Sequence, residues 1–187
     1  MPAAIIIPAF NEQQTVADVV AAVLPIGETI VVDHGSADRT ADQAYRAGAK
    51  VIQSPTNRGK GNAIALGLRS TREQTVILLD ADLVGITRAH VLYMLNLYQS
   101  GDYQQVQARV AGTAGIVTGQ RCGDRRLWEI ASRKAGGWAF ELAANQLCGK
   151  CLLLDWSNVR HRPKSQKYSD GLARQVKMWV ELFLYEP

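Results

Sequence analysis

Cysteine is scarce and odd in number: Cys122, Cys148 and Cys151 are the only three in 187 residues. An odd count argues against a disulfide framework and for a reducing, cytoplasmic setting. Cys148-Gly149-Lys150-Cys151 has redox or zinc spacing, but no second pair completes a site, so structural thiols are expected. Long apolar runs are also missing; none nears the roughly 20 residues of a membrane span, so no transmembrane segment is expected. The apolar start, Ala3 to Ile7, lacks a basic flank and a cleavage site and reads as a strand rather than a signal peptide. Strong charge is absent too. A net +4 suits an anionic ligand without the concentrated basic face that nucleic acid needs, so no nucleic-acid partner is expected. Neither repeats nor a linker break the chain, and its length predicts one domain over residues 1–187.

What is present is an alternation of buried strands and amphipathic helices. Ala4 to Ile7 reads as a strand broken by Pro8, and Glu12 to Leu24 as a helix with Val16, Val19, Val20 and Val23 on one face. Thr29 to Val32 is a second strand. Asp38 is placed to cap the helix that follows, and Gly48 closes it. Lys50 to Gln53 is a short strand, Asn62 to Leu68 a helix, and Val76 to Leu79 the central strand. Short connections between such units predict a parallel sheet wrapped by helices. The second half is less regular. Helices are expected over Thr87–Tyr98, Leu127–Ser132, Ala139–Leu147 and Gly171–Leu184. Strands are expected within Val106–Val117 and at Leu152–Leu154, with a basic loop over Arg160–Lys167.

Chemistry gathers at the strand ends. Asp80 and Asp82 follow the central strand, where open α/β sheets bind ligands, and alternation in an extended segment would point both the same way. They suit a hard divalent cation, or else they mark a strand end whose two acids face water. Arg58-Gly59-Lys60-Gly61-Asn62 opens a helix, with small residues that let backbone N–H groups approach an anion and a lysine beside them. It is neither a dinucleotide fingerprint, since position 64 is Ile, nor a P-loop, since no Gly-Lys-Ser/Thr occurs. Asn11 and Glu12 end the first strand, and Asp33 and His34 the second. Polar clusters at successive strand ends converge on one edge of a parallel sheet.

These motifs resemble those of family 2 glycosyltransferases with the GT-A fold. The likeness rests on Pro8-Ala9-Phe10-Asn11-Glu12, Val32 to Asp38, Asn57 to Gly61 and Asp80-Ala81-Asp82, in that order. Gly119-Gln120-Arg121, the Trp138 to Leu142 stretch and His161 are similar to the acceptor half of the superfamily, including glucosyl-3-phosphoglycerate synthases. The resemblance implies an α/β GT-A domain: a mostly parallel sheet with a nucleotide-sugar half (1–100) and an acceptor half (101–187). It implies a UDP- or GDP-sugar held by Pro8, Ala9, Phe10, Asn11, Glu12, Asp33, His34, Gly35, Lys60, Asp80 and Ala81. It implies Mg²⁺ or Mn²⁺ on Asp80, Asp82 and His161, with Asp82 and Glu141 as catalytic groups. Gly119, Gln120, Arg121, Arg160 and Arg162 would face an anionic small-molecule or lipid-phosphate acceptor. Peripheral contact with an anionic membrane and a homodimer are compatible with it.

Two departures stand out. Where many relatives have a second Asp this chain has His34, and little chain separates Asp82 from Gly119. The Asp80 to Val84 run also resembles the nucleophile motif of haloacid-dehalogenase-type phosphatases, although there it ends the first strand. A catalytically silent nucleotide-sugar-binding protein is the other alternative.

Overall fold

The computed structural model describes residues 2–112, 118–134 and 139–163. The expected helix over Gly171–Leu184, the basic residues Lys164, Lys167, Arg174 and Lys177, and also Gly115 and Trp138, lie outside them.

Strand β1 (Ala3–Ala9) is buried along its whole length. Beside it on one flank lie β2 (Glu28–Asp33) and then β3 (Lys50–Gln53); on the other lies β4 (Thr75–Leu78), all parallel. Past β4 the directions mix. β7 (Gln120–Asp124) runs antiparallel to β4, and β6 (Gln105–Ala111) antiparallel to β7. β8 (Cys151–His161) is parallel to β6, and the two-residue β5 (Leu83–Val84) pairs antiparallel with β8. The sheet order is β3-β2-β1-β4-β7-β6-β8-β5. A wholly parallel sheet therefore holds only for the βαβ half, where helical crossovers enforce it.

Period-2 alternation along β1 assigns its side chains to two cores. Ile5, Ile7 and Ala9 pack with α1 (Val16–Val23), α2 (Thr40–Arg46) and α4 (Arg88–Gln99). Ala4 and Ile6 pack on the other face, with α3 (Lys60–Arg69), α5 (Arg125–Lys134) and α6 (Ala139–Gln146).

Several boundaries differ from the expected ones, each for a local reason. Glu12 to Thr15 form a turn, with the Thr15 and Val16 amides both donating to Glu12 O, so α1 starts at Val16. Pro8 does not break β1. The Leu79 amide donates to Ile6 O at 3.1 Å, and the next rung toward β4 would need an N–H at position 8, which proline lacks. The ladder stops there, and the chain leaves the sheet at Leu79. β8 is far longer than Leu152–Leu154; it takes in Arg160 and His161, so the expected basic loop begins inside a strand. Cys148 and Cys151 are disulfide-linked across the turn before β8 (Cα–Cα 6.1 Å), which corrects the expectation of free thiols. Cys122 alone is free, and burial pushes its thiol pKa up. No helix among the described residues is long and apolar enough to cross a membrane.

The approach of α3 to β1 depends on Gly67: a Cβ there would lie 2.5 Å from Ile6 Cγ2. Because Ile6 is fully buried, Gly67→Ala is expected to destabilise the fold by about 1–3 kcal/mol through overpacking. Urea denaturation of the two proteins checks this, with a lowered midpoint at unchanged slope as the expected result.

Candidate active site

Leaving the sheet at Leu79, the chain turns through Ala81 and Asp82 and re-enters it as β5. This turn, rather than strand alternation, brings the two carboxylates together. Ala81 packs its methyl into the core between them. β5 then pairs Leu83 directly with His161 of β8, which carries the imidazole to Asp82 across 79 positions of sequence. His161 Nδ1 is 2.8 Å from Asp82 Oδ1, and its Nε2 is 3.8 Å from Asp80 Oδ2. One ligand atom from each of Asp80, Asp82 and His161 lies within 4.8 Å of the others. Two carboxylates and an imidazole so arranged fit a small divalent cation of the Mg²⁺ or Mn²⁺ type.

Next to this cluster sits Lys60, the first residue of α3. Its Nζ is 2.5 Å from Asp80 Oδ1 and 2.8 Å from Glu141 Oε1 of α6, with all three side chains largely withdrawn from solvent. Burial alone would lower the lysine pKa, but the attraction of Asp80 and then Glu141 overrides it and raises the value. For Asp80 the same contest, burial against Lys60 and His161, brings the carboxyl down to about 2. Glu141 Oε2 is buried with no hydrogen-bond partner among the described residues. Such an oxygen is costly unless a donor reaches it, and a ligand hydroxyl is a suitable donor.

Behind the acids lies a polar layer that sequence reasoning gave to an acceptor. Gln120 is fully buried, donates to Asp80 Oδ2 at 2.8 Å and accepts from Thr118 Oγ1, which also bonds Ala108 O. Gly119 lies against the Asp80 carboxylate, and a Cβ there would overlap it. Arg121 faces neither solvent nor Asp124. Its guanidinium donates to Thr118 O, Gln105 Oε1, Asn145 Oδ1 and Glu141 O. Burial lowers its pKa to about 10, partly offset by Glu141 and Asp80, so it stays charged. Gly119, Gln120 and Arg121 thus brace Asp80 and Glu141 from inside. Gln105 and Asn145 were missed. Their signal was a polar residue on an otherwise buried strand, and another at the end of a helix whose other face is apolar.

The first two strand ends build a second lobe. Asn11 has φ +57°, a left-handed conformation that asparagine tolerates. Its amide donates to Ser36 Oγ and its Oδ1 accepts from the Ala37 amide, both at 2.9 Å. Asp33 accepts from the Ser36 amide, and the Glu12 amide donates to Thr40 Oγ1. Gly35, at φ +91°, makes the turn between them. The Phe10 and His34 rings lie 5.6 Å apart and form a partly exposed aromatic ledge. Pro8 and Ala9 are buried, so they shape this lobe without presenting side chains to a ligand. The two arginines expected at an acceptor part company. Arg160 is exposed, whereas Arg162 is buried, with Nη2 3.2 Å from Asn11 O and 3.4 Å from Glu12 Oε2.

Comparison with known proteins follows the same outline. The sequence model described as Glycosyl transferase family 2 matches residues 4–141. The glucosyl-3-phosphoglycerate synthase of Mycolicibacterium paratuberculosis is 30% identical over 110 residues, covering 52% of this chain and 33% of its own. That of Mycolicibacterium smegmatis is 35% identical over 92 residues, covering 43% and 30%. The chain thus spans about a third of the length of these curated relatives. A structure of the Mycobacterium tuberculosis synthase with Mn²⁺ and UDP-glucose superposes with TM-score 0.80 at 20% identity, covering 98% of this chain and 78% of that one. Another, with Mn²⁺, UDP-glucose and phosphoglyceric acid, gives 0.77 at 20%, covering 99% and 81%. At this identity the likeness establishes the fold.

Two outcomes are expected from the geometry. In metal-free protein His161 has a raised pKa: burial works against the charge, but the Asp82 hydrogen bond and the nearby carboxylates prevail. Its stabilisation is therefore fully present below the ordinary value of 6.5 and is lost as pH rises through the higher folded value. Melting EDTA-treated wild type and His161→Gln from pH 6 to 9 should show a stability gap that shrinks as pH rises. Separately, Gly119→Ala should push Asp80 out of place and weaken Mn²⁺ binding about 10–100-fold, measured by EPR of free Mn²⁺.

Proposed function

Because the chain belongs to glycosyltransferase family 2, we propose that it moves a sugar from a nucleoside diphosphate donor to an acceptor hydroxyl, with Mg²⁺ or Mn²⁺ as cofactor. The observation that carries this reading is the joining of Asp80, Asp82 and His161 in one ligand cluster beside Lys60 and Glu141, whose Oε2 has no hydrogen-bond partner among the described residues. In the reaction the bond from the anomeric carbon to the diphosphate breaks, a bond to the acceptor oxygen forms, and the hydroxyl proton departs.

Asp80, Asp82 and His161 would hold the cation. When bound, it supplies positive charge that neutralises the diphosphate oxygens as they leave. Lys60 serves the same charge from the side; its ammonium is held protonated and aimed into the site by Asp80 and Glu141. Glu141 Oε2 accepts a hydroxyl of the sugar or acceptor. If that hydroxyl is the reacting one, the carboxylate takes its proton. The Phe10–His34 ledge offers a face to the base, and Asp33 lies behind it. Arg160, exposed and next to His161 in β8, suits an anionic acceptor.

UDP-glucose with Mn²⁺, and phosphoglyceric acid as acceptor, are the first pair to try, since the M. tuberculosis synthase binds them. The phosphatase alternative is set aside by the family match, and a silent binder is separated from an enzyme by turnover. Incubation with UDP- and GDP-sugars, Mn²⁺ and an acceptor panel should release nucleoside diphosphate only when acceptor and metal are both present. Asp82→Asn should abolish this with its circular dichroism unchanged, and Glu141→Gln should lower kcat by about 10²–10⁴-fold. Binding without turnover on any acceptor would make the chain a silent binder.

A further inference from the structure

Arg162 is the last of the described residues to touch the site, and it touches both lobes. Its backbone amide donates to Asp82 O at 2.8 Å and so pins the turn that carries the metal ligands. Its side chain turns the other way, into the protein. Nη2 donates to Asn11 O at 3.2 Å and lies 3.4 Å from Glu12 Oε2, with both side chains more than nine-tenths buried. Asn11 and Glu12 are in turn tied to Ser36, Ala37 and Thr40, the loop that follows Asp33 and His34. One residue therefore spans from the cation cluster to the aromatic ledge without belonging to either.

We infer that Arg162 is a positioning residue that holds the cation cluster and the nucleoside lobe in register, although it contacts neither ligand. The inference rests on the nucleotide-sugar reading of the site. Three features favour this over a simple core ion pair. The partner, Glu12, sits in the turn between β1 and α1, next to the lobe proposed to face the base, not in a strand or helix. The main-chain contact to Asn11 O falls on the residue held at positive φ, where a lost partner leaves a costly conformation unsupported. Finally, Arg162 adjoins His161, so any shift of the side chain is felt at a metal ligand one residue away. Both contacts are made by one terminal nitrogen, Nη2, whose two N–H groups lie in the guanidinium plane and can serve two acceptors at once.

The test measures the two ligands separately. Mn²⁺ affinity is read by EPR without nucleotide, and uridine and guanosine affinity by calorimetry without metal; a nucleoside has no phosphate with which to bridge to the cation. Arg162→Met keeps the volume and removes the charge. Arg162→Met/Glu12→Gln also neutralises the buried acid that the first change would deprive of this cation, so that a folded protein is available. Both are expected to bind Mn²⁺ about tenfold more weakly or worse, as loss of outer-shell support to a metal site does. They should also bind the nucleoside more weakly. Arg162→Lys, which keeps the positive charge on a shorter side chain, should recover part of each affinity. In a steady-state assay the donor KM should rise more than kcat falls. Wild-type affinity for both ligands in the folded double variant would overturn the inference, as would loss of only one. If wild type binds neither nucleoside nor Mn²⁺, the nucleotide-sugar reading itself fails and this inference with it.

Discussion

Lys60 between Asp80 and Glu141 is the interaction on which the rest of the site depends. Three carboxylates converge at one edge of the sheet, and without cations among them their mutual repulsion would drive them apart or protonate them. Lys60 supplies one positive charge at hydrogen-bond distance, and Arg121 a second from below. The result is a cluster that remains acidic enough to attract a divalent ion and is already held in place before one arrives. Such a buried arrangement is weak evidence for stability, because desolvation consumes much of the Coulomb gain. Its worth is geometric: it prepares the charges instead of gathering them during the reaction.

The fold serves this cluster through its change of direction at β4. The parallel half delivers strand ends with their loops on one edge, while the antiparallel β7 lays Gln120 and Arg121 beneath those loops. β8, running parallel to β6, carries His161 to the same edge. The ligating side chains come from the loop after β4 and from the end of β8, the bracing Gln120 and Arg121 from β7, and the helices contribute Lys60 at the start of α3 with Glu141 and Asn145 from α6.

Much of this was legible in the sequence, for identifiable reasons. The βαβ half announced itself through uninterrupted apolar runs such as Ala4 to Ile7, which only a two-sided core accommodates. Lys50 to Gln53 was placed to the residue. The chemistry of Asp80, Asp82 and Lys60 showed because acids and a glycine-flanked lysine at strand ends are unusual on any other account. What stayed hidden were facts of pairing. Nothing local tells that Arg160 and His161 belong to a strand, since their partners, Leu83, Val84 and Ala111, lie far earlier in the chain. Nor could Arg121 be read as internal, because its acceptors, Gln105 of β6, Asn145 and the Glu141 carbonyl of α6, and the Thr118 carbonyl just before β7, are far apart in sequence. A charged residue looks like a surface residue until its partners are known. The disulfide of Cys148 and Cys151 was likewise invisible to a count of cysteines.

Pro8 shows how an absent atom can govern the placement of distant ones. Strand pairing is cooperative, and a neighbouring segment as apolar as Ile77-Leu78-Leu79 would keep zipping onto β1 for as long as donors are offered. The missing amide proton halts that zipping one rung before the acids, and the chain is free to fold back on itself. Any other residue at position 8 would restore a donor facing Leu79 O and set the sheet in competition with the metal turn for the same stretch of backbone. The imino ring thus acts as a register stop: it guards the loop against capture by its own scaffold.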